Sequence, residues 1–231
     1  MAIINAKNLW KSYGTGDNKN TVIKGVDLEI PEGAFMTLTG KSGAGKSTLL
    51  YVLSGLEKID SGEIYLDKER IDNLSNKKLS IIRREKIGFV FQAYNLLPTI
   101  SVYDNIALSL ELLHRNNKEI KEKVYALAKE LEITQLLKSY PYQLSGGEQQ
   151  RVAIARAVAC DPQIIFADEP TGNLDTANSK RVMDLMARIN CKYKVAILMV
   201  THDQDIVKSI ENRICLSDGR VITEYNANDN K

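Results

Sequence analysis

The chain has 231 residues, of which 44% are apolar and 26% charged, enough apolar content for one globular unit with a sizeable core. A formal net charge of +2 without a dense Lys/Arg run gives no electrostatic footprint for nucleic acid, which is not expected as a partner. No apolar run approaches the roughly 20 residues that cross a bilayer, and the chain does not open on a signal-peptide pattern, so a membrane role is expected to come through a partner.

In chain order, residues 2–12 alternate apolar and polar, then meet the Gly/Asn/Asp-rich stretch 14–20. Val22 to Ile30 is a second strand-like run ended by Pro31-Glu32-Gly33, and a hairpin with a long tip is the simplest reading. Ala34 to Thr39 leads directly into Gly40, and residues 47–56 continue as an amphipathic helix. Glu63 to Leu66 and Ile87 to Phe91 are expected strands. The charged stretches Lys68-Glu69-Arg70 and Lys118 to Lys123 mix both signs and read as solvated faces.

From residue 99 the pattern becomes helical. Ser101 is the expected N-cap, with Asp104 three residues on as a variant of the capping box. Helices are expected over 102–114 and 118–131, split by Asn116-Asn117, with His114 on a helix surface. Pro141 breaks the chain before Ser145-Gly146-Gly147, and residues 147–159 form the next helix. After Asp161-Pro162 come a buried-type strand (Ile164 to Ala167), a helix over about 176–190 and a strand (Val195 to Val200). Arg213 to Leu216 and Val221 to Glu224 are the last strands, joined by the turn Ser217-Asp218-Gly219-Arg220, and the Asn/Asp-rich tail from Asn226 is expected to be disordered. Cys160, Cys191 and Cys215 lack metal-type or redox spacing and fit small core or surface residues in a reducing cytoplasm. No repeat or linker divides the chain. It reads as a single domain over 1–231, with a core lobe from 1–92 and 160–224, a helical lobe over 93–159 and a tail over 225–231.

Three stretches carry chemistry. Gly40-Lys41-Ser42-Gly43-Ala44-Gly45-Lys46-Ser47 matches G-x-x-x-x-G-K-[ST] between a strand and a helix. Its glycines let backbone N–H groups surround phosphates, Lys46 neutralises the β- and γ-phosphates, and the Ser47 hydroxyl suits magnesium. The apolar strand 164–168 ends in Asp168, which suits the magnesium shell, and Glu169 beside it is placed to act as a general base on water. Leu144-Ser145-Gly146-Gly147-Glu148-Gln149-Gln150 opens a helix with a second phosphate-binding surface. One chain cannot use both surfaces on the same nucleotide, which points to an ATPase that works as a pair. Other residues stay open on chemistry alone. Tyr13 is either a packing residue or a base-stacking platform, Gln92 at the end of its strand is a weak signal, and His202 gains weight only from following the strand 195–200.

Together these motifs resemble the nucleotide-binding subunit of an ATP-binding cassette (ABC) transporter, over residues 2–224. The resemblance implies an α/β fold: a RecA-like P-loop core, an N-terminal antiparallel β subdomain and an inserted α-helical subdomain. It places Tyr13 at the adenine-stacking aromatic, residues 40–47 with Thr48 at the Walker A motif, and Gln92 at the Q-loop, near the metal. Residues 144–150 fall at the signature, Asp168 and Glu169 at Walker B and the catalytic glutamate, Gly172 to Asp175 at the D-loop, and His202 at the switch histidine. Glu148 stands where glutamine is commoner in the signature. The cofactors implied are ATP and Mg2+, with metal contacts from Ser47, Gln92 and Asp168. Ser145, Gly146, Gly147, Glu148 and Asp175 would bind nucleotide across a homodimer formed upon ATP binding. An integral membrane permease subunit would dock near Gln92 to Pro98, with Tyr94 and Leu96 exposed toward it, holding the chain at the cytoplasmic face of the membrane. The stretches 87–92, 95–98 and 167–175 resemble the lipoprotein-release and macrolide-exporter group. Alternatives are a regulatory ATPase like that of cell division and a non-transport cassette ATPase. A small-molecule kinase would leave residues 144–150 without a purpose.

Overall fold

The computed structural model describes residues 1–225, so the tail expected to be disordered from Asn226 lies outside the described residues. In chain order the elements begin with β1 (Ala2–Tyr13), β2 (Asn20–Pro31), β3 (Phe35–Thr39), α1 (Lys46–Leu53), β4 (Ser61–Leu66), β5 (Glu69–Arg70), α2 (Asn76–Lys86) and β6 (Ile87–Phe91). They continue with α3 (Val102–Glu111), α4 (Asn117–Glu130), α5 (Gly146–Val158), β7 (Ile164–Asp168), α6 (Thr176–Tyr193), β8 (Ala196–Val200), α7 (Gln204–Ser209), β9 (Asn212–Ser217) and β10 (Arg220–Tyr225). β1 and β2 form the long-tipped antiparallel hairpin, and β4 joins β1 from the other side to give the order β2-β1-β4-β5. The second sheet runs β10-β9-β3-β8-β7-β6; its strands are parallel except for β10, which pairs antiparallel with β9.

The parallel strands are buried on both faces, and alternation along each strand divides their side chains between two cores. On β7, Ile164 and Phe166 enter a core shared with β1, β2, β4 and α1, while Ile165 and Ala167 enter a core shared with α3 to α6. β8 does the same, with Ala196, Leu198 and Val200 on one side and Ile197 and Met199 on the other. The architecture is that of a P-loop, RecA-like core with an N-terminal antiparallel β subdomain and a helical subdomain. Because α1 lies between the two sheets, Leu49, Leu50, Val52 and Leu53 are all fully buried and none of its residues is exposed, unlike the one-sided amphipathic helix expected there.

Local capping sets the helix ends. Ser101 and Ser145 each form a capping box, with Asp104 and Glu148 respectively. α3 stops at Glu111, earlier than expected, because His114 adopts a left-handed φ of 55°. His114 N–H donates to Glu111 O at 2.8 Å and Arg115 N–H to Leu110 O at 3.2 Å, a Schellman closure that puts His114 in the terminating turn rather than on the helix surface. Part of the Lys68–Arg70 stretch is also paired rather than merely solvated. Arg70 bridges to Glu63 at 2.7 Å and Asp72 at 3.0 Å across the β4–β5 hairpin.

Candidate functional site

The carboxyl ends of β3, β8, β7 and β6 converge on one edge of the parallel sheet, where a doubly covered α/β sheet binds its ligands. The 40–47 loop leaves β3 there. Gly40 has φ 147° and lies so close to β9 that a β-carbon would sit 2.2 Å from Leu216 O. Gly45 has φ 99° and caps α1 without a side-chain bond, so the first N–H groups of α1 have no side-chain cap. Lys41, Ser42 and Gly43 are exposed, Ala44 is buried, and Lys46 Nζ donates to Gly40 O and Lys41 O at 3.0 Å each. The lysine charge thus sits over the loop where a triphosphate would lie.

Register brings the next residues together. Asp168 pairs with Val200 across β7 and β8, and Phe91 pairs with Asp168 across β6 and β7. Glu169, the residues after Val200 and Gln92 therefore emerge side by side. Glu169 N–H donates to Val200 O at 3.0 Å, and His202 Nδ1 lies 3.3 Å from Glu169 Oε1. Glu169 is held at φ 46°, a left-handed conformation that costs a non-glycine residue roughly 1–2 kcal/mol. Glu169, Thr171, Gly172, Thr201, His202 and Asp203 line a cavity of about 190 Å³. Gln92 Nε2 donates to Asn173 Oδ1 at 3.3 Å and lies 2.9 Å from where a Gly172 β-carbon would be, which puts its amide at the cavity rim.

Asp168 is fixed from α1. Ser47 donates its hydroxyl to Oδ1 at 3.0 Å, and Tyr51 donates to Oδ2 at 2.8 Å. Sequence reasoning missed Tyr51, although its spacing of four from Ser47 puts both on one helix face. A hydroxyl and a carboxylate at this distance are hard oxygen donors, fitting a magnesium ion that keeps waters and phosphate oxygens in the rest of its shell. No cluster of three or more His, Cys, Asp or Glu side chains suited to a metal occurs among the described residues.

Tyr13 is 40% exposed, and its hydroxyl bonds to Glu57. Lys11 Nζ lies 5.0 Å from its ring centroid. Burial, together with the Glu57 carboxylate, pushes the Tyr13 phenol above its ordinary pKa. Thr48 also reaches this phenol.

The Ser-Gly-Gly turn lies elsewhere. It opens α5, which packs on β6, three strands from β3 in the sheet, or roughly 14 Å at the usual strand spacing. Ser145 Oγ accepts from Glu148 N–H at 3.4 Å, while Glu148 Oε2 accepts from Ser145 N–H at 2.8 Å and its hydroxyl at 2.7 Å. These bonds hold the Glu148 carboxyl below its ordinary range. A β-carbon on Gly146 would come within 2.8 Å of the Tyr94 hydroxyl, and one on Gly147 within 2.8 Å of Asn178 Oδ1. Asp175 serves as N-cap of α6, accepting from Asn178 N–H and Nδ2 at 2.8 Å each, which lowers its pKa.

Two expectations for the 92–98 loop need correction. Tyr94 is half-buried against Gly146, and Leu96 packs on the helical core, so neither is an exposed contact; Leu97, 44% exposed, projects instead. The reason is Asn105, fully buried on α3, which accepts from Leu97 N–H at 2.8 Å and donates to Leu97 O at 3.1 Å. It also donates to Ile100 O and Ser101 O, pinning the loop at Leu97 with that side chain outward.

The fold defines a P-loop NTPase, and comparison with known proteins makes this specific. The chain belongs to the ABC transporter family, whose profile matches residues 23–172. It is 40% identical over 99% of its length to the bacitracin export ATP-binding protein BceA of Halalkalibacterium halodurans, covering 90% of that protein. It is 43% identical to the lipoprotein-releasing system ATP-binding protein LolD of Aquifex aeolicus, covering 88% of this chain and 90% of that one. A solved structure, the dimeric post-hydrolysis ATP-binding cassette MJ0796 bound to ADP and Pi, superposes with TM-score 0.89 at 38% identity over 96% of this chain and 98% of that one. The protein is thus an ATP-hydrolysing ABC transporter subunit that acts with a membrane partner.

Proposed function

We propose that two copies of this chain, as single-domain subunits at the cytoplasmic face of the membrane, sandwich ATP head to tail. Each nucleotide would lie between residues 40–48 of one copy and Ser145, Gly146, Gly147 and Glu148 of the other. The observation that carries this reading is the separation of two helix-opening phosphate surfaces on one fold, one uncapped at Gly45 and one capped by Ser145, with the Glu169–His202 pair following the Asp168 that bonds to Ser47 of the first. Tyr13 stacks on the adenine and Lys46 leaves its carbonyl partners for the β- and γ-phosphates. Ser47, Asp168 and Gln92 would hold Mg2+, which neutralises charge on the transferring phosphate. Glu169 accepts the proton of the attacking water, and His202 holds the Glu169 carboxylate and the γ-phosphate in register. Asp175 of each copy lies at the start of α6, beside Gly147 through Asn178, and so belongs to the interface.

Hydrolysis removes the γ-phosphate bridge and releases the two copies, which biases a conformational switch in the membrane partner docked at residues 92–98. We place the chain in the lipoprotein-release and macrolide-exporter group, driving export or mechanotransmission, and the similarity to a bacitracin export ATP-binding protein and to lipoprotein-releasing ATP-binding proteins supports this. Substitution of Glu169 by Gln tests the reading. ATP binding is retained, steady turnover is lost and ATP drives a stable dimer, seen by analytical ultracentrifugation. Normal turnover in that variant would sink the assignment.

A further inference from the structure

Arg156 lies near the C-terminal end of α5, about three helical turns beyond Ser145. Its guanidinium grips main chain rather than a carboxylate. Nη1 donates to Asn95 O at 2.5 Å and Nη2 to Tyr94 O at 2.8 Å. Those two residues are consecutive and left-handed, at φ 61° and 49°, a conformation that asparagine tolerates but that is unfavourable for a bulky residue such as Tyr94. Burial draws the Arg156 pKa below its ordinary value, and the bonds its guanidinium makes run to these two carbonyls. The same loop reaches the opposite end of α5, where the Tyr94 hydroxyl packs on Gly146.

We propose that Arg156 is a positioning residue that fastens the 92–98 loop to α5 at one end while Tyr94 seats it at the other. Loop and helix then move as one strap, and a displacement of the loop by the membrane partner becomes a displacement of Ser145-Gly146-Gly147. A single hydrogen-bonded α-helix is stiff over this length, roughly 16 Å, and a planar fork bonded to adjacent carbonyls fixes both distance and orientation. The functional weight of the strap rests on the composite ATP site, because moving Ser145 matters only if it meets the other copy's nucleotide. The strap itself is a property of one chain and can be measured there.

Arg156→Lys is the informative variant. It keeps the positive charge but cannot reproduce the fork. Residue-resolved hydrogen exchange on the unliganded protein is expected to show the Tyr94, Asn95 and Leu97 amides exchanging roughly tenfold faster, the scale of one lost charged hydrogen bond. The Ser145, Glu148 and Gln149 amides should rise with them, while amides in the middle of α5 keep their protection. A rise confined to the loop, or no rise, overturns the strap; a merely structural arginine would open the middle of the helix as well. In the Glu169→Gln background, Arg156→Lys should raise the protein concentration needed for ATP-driven dimerisation about tenfold, with monomer ATP affinity unchanged. If Glu169→Gln alone fails to dimerise, the composite-site reading falls, and the exchange data still decide the strap. If it dimerises and Arg156→Lys dimerises equally well, the strap does not control the signature and the proposal is overturned.

Discussion

Tyr51 and Asp168 are 117 residues apart in sequence, yet the Tyr51 hydroxyl donates to Asp168 Oδ2 at 2.8 Å. With Ser47 on Oδ1, both oxygens of the Asp168 carboxylate are oriented by one face of α1. That helix is itself packed between two sheets, with Leu49, Leu50, Val52 and Leu53 fully buried, and it holds the carboxylate from that position.

Tyr51→Phe keeps the ring and removes only this bond. Unfolding by urea should show a loss of about 1–2 kcal/mol, the range for a hydrogen bond to a charged group that is only partly buried. The Mg2+ concentration for half-maximal ATPase should rise several-fold, because Asp168 is freer to rotate away from Ser47. A stability and a magnesium titration both identical to the parent would show that the bond does not orient Asp168.

The same pair predicts an alkaline signature. Burial, then the bond to Asp168, pushes the Tyr51 phenol from 10.0 up to about 12. The unfolded chain therefore releases this proton at lower pH than the folded one. The contribution is complete below pH 10, shrinks as pH rises, and is lost through the folded value of about 12. Thermal melting from pH 9 upward should fall more steeply for the parent than for Tyr51→Phe. Parallel curves would remove Tyr51 as the titrating group.

What was legible in the sequence was local. The strand–loop–helix around Gly40 to Ser47, the capping box at Ser101, the helix opened by Ser145-Gly146-Gly147 and the β1–β2 hairpin all write their signals within a few residues, and all appear in the fold. α2 was not anticipated: only Leu79 and Ile82 are buried on it, too few apolar positions to stand out among its charges. α7 is six residues long, below the length at which periodicity can be read. Tyr51 looked like one more apolar position of α1, and the difference between Leu96 and Leu97 depends on Asn105, a buried polar residue whose partners are main-chain groups. Long-range hydrogen bonds leave no periodic trace.

Asn105 supports a further prediction. Its side chain is fully buried, accepts one bond from Leu97 N–H and shares its two Nδ2 hydrogens among three carbonyls of residues 97–101. Asn105→Ala leaves the Leu97 N–H and the Ile100 carbonyl without this side chain, while Ser101 O keeps the Asn105 backbone N–H, and should cost about 3 kcal/mol in urea unfolding. Asn105→Asp, equal in shape, retains only the accepted bond and buries a charge, so it should be no better. Both variants should expose residues 96–100 to limited proteolysis. An Asp variant as stable as the parent would mean that the donated bonds contribute nothing.

Glu148 closes the capping box on Ser145, and its environment predicts what an exchange for glutamine changes. The Ser145 hydroxyl and N–H both donate to its carboxylate, which holds its pKa below the ordinary 4.5. A depressed carboxylate binds its proton less readily folded than unfolded, so stability rises with pH across the window between the two values. The contribution is complete above about pH 4.5 and is lost as pH falls through the folded value. Glu148→Gln can still close a capping box, because an amide oxygen also accepts from Ser145 N–H, but it does not titrate. The two proteins should therefore melt within a few degrees of each other at pH 7, and the parent should lose stability more steeply below pH 4.5. Acid melting curves that run parallel would show that Ser145 does not hold the carboxylate in its charged form. The neutral-pH comparison bears on the ATP site too. In the parent the Ser145 proton is committed to an anion, and a phosphate must compete with Glu148 for it. In Glu148→Gln that competitor is neutral, so ATP-driven dimerisation in the Glu169→Gln background should need less protein, by several-fold, as measured by analytical ultracentrifugation.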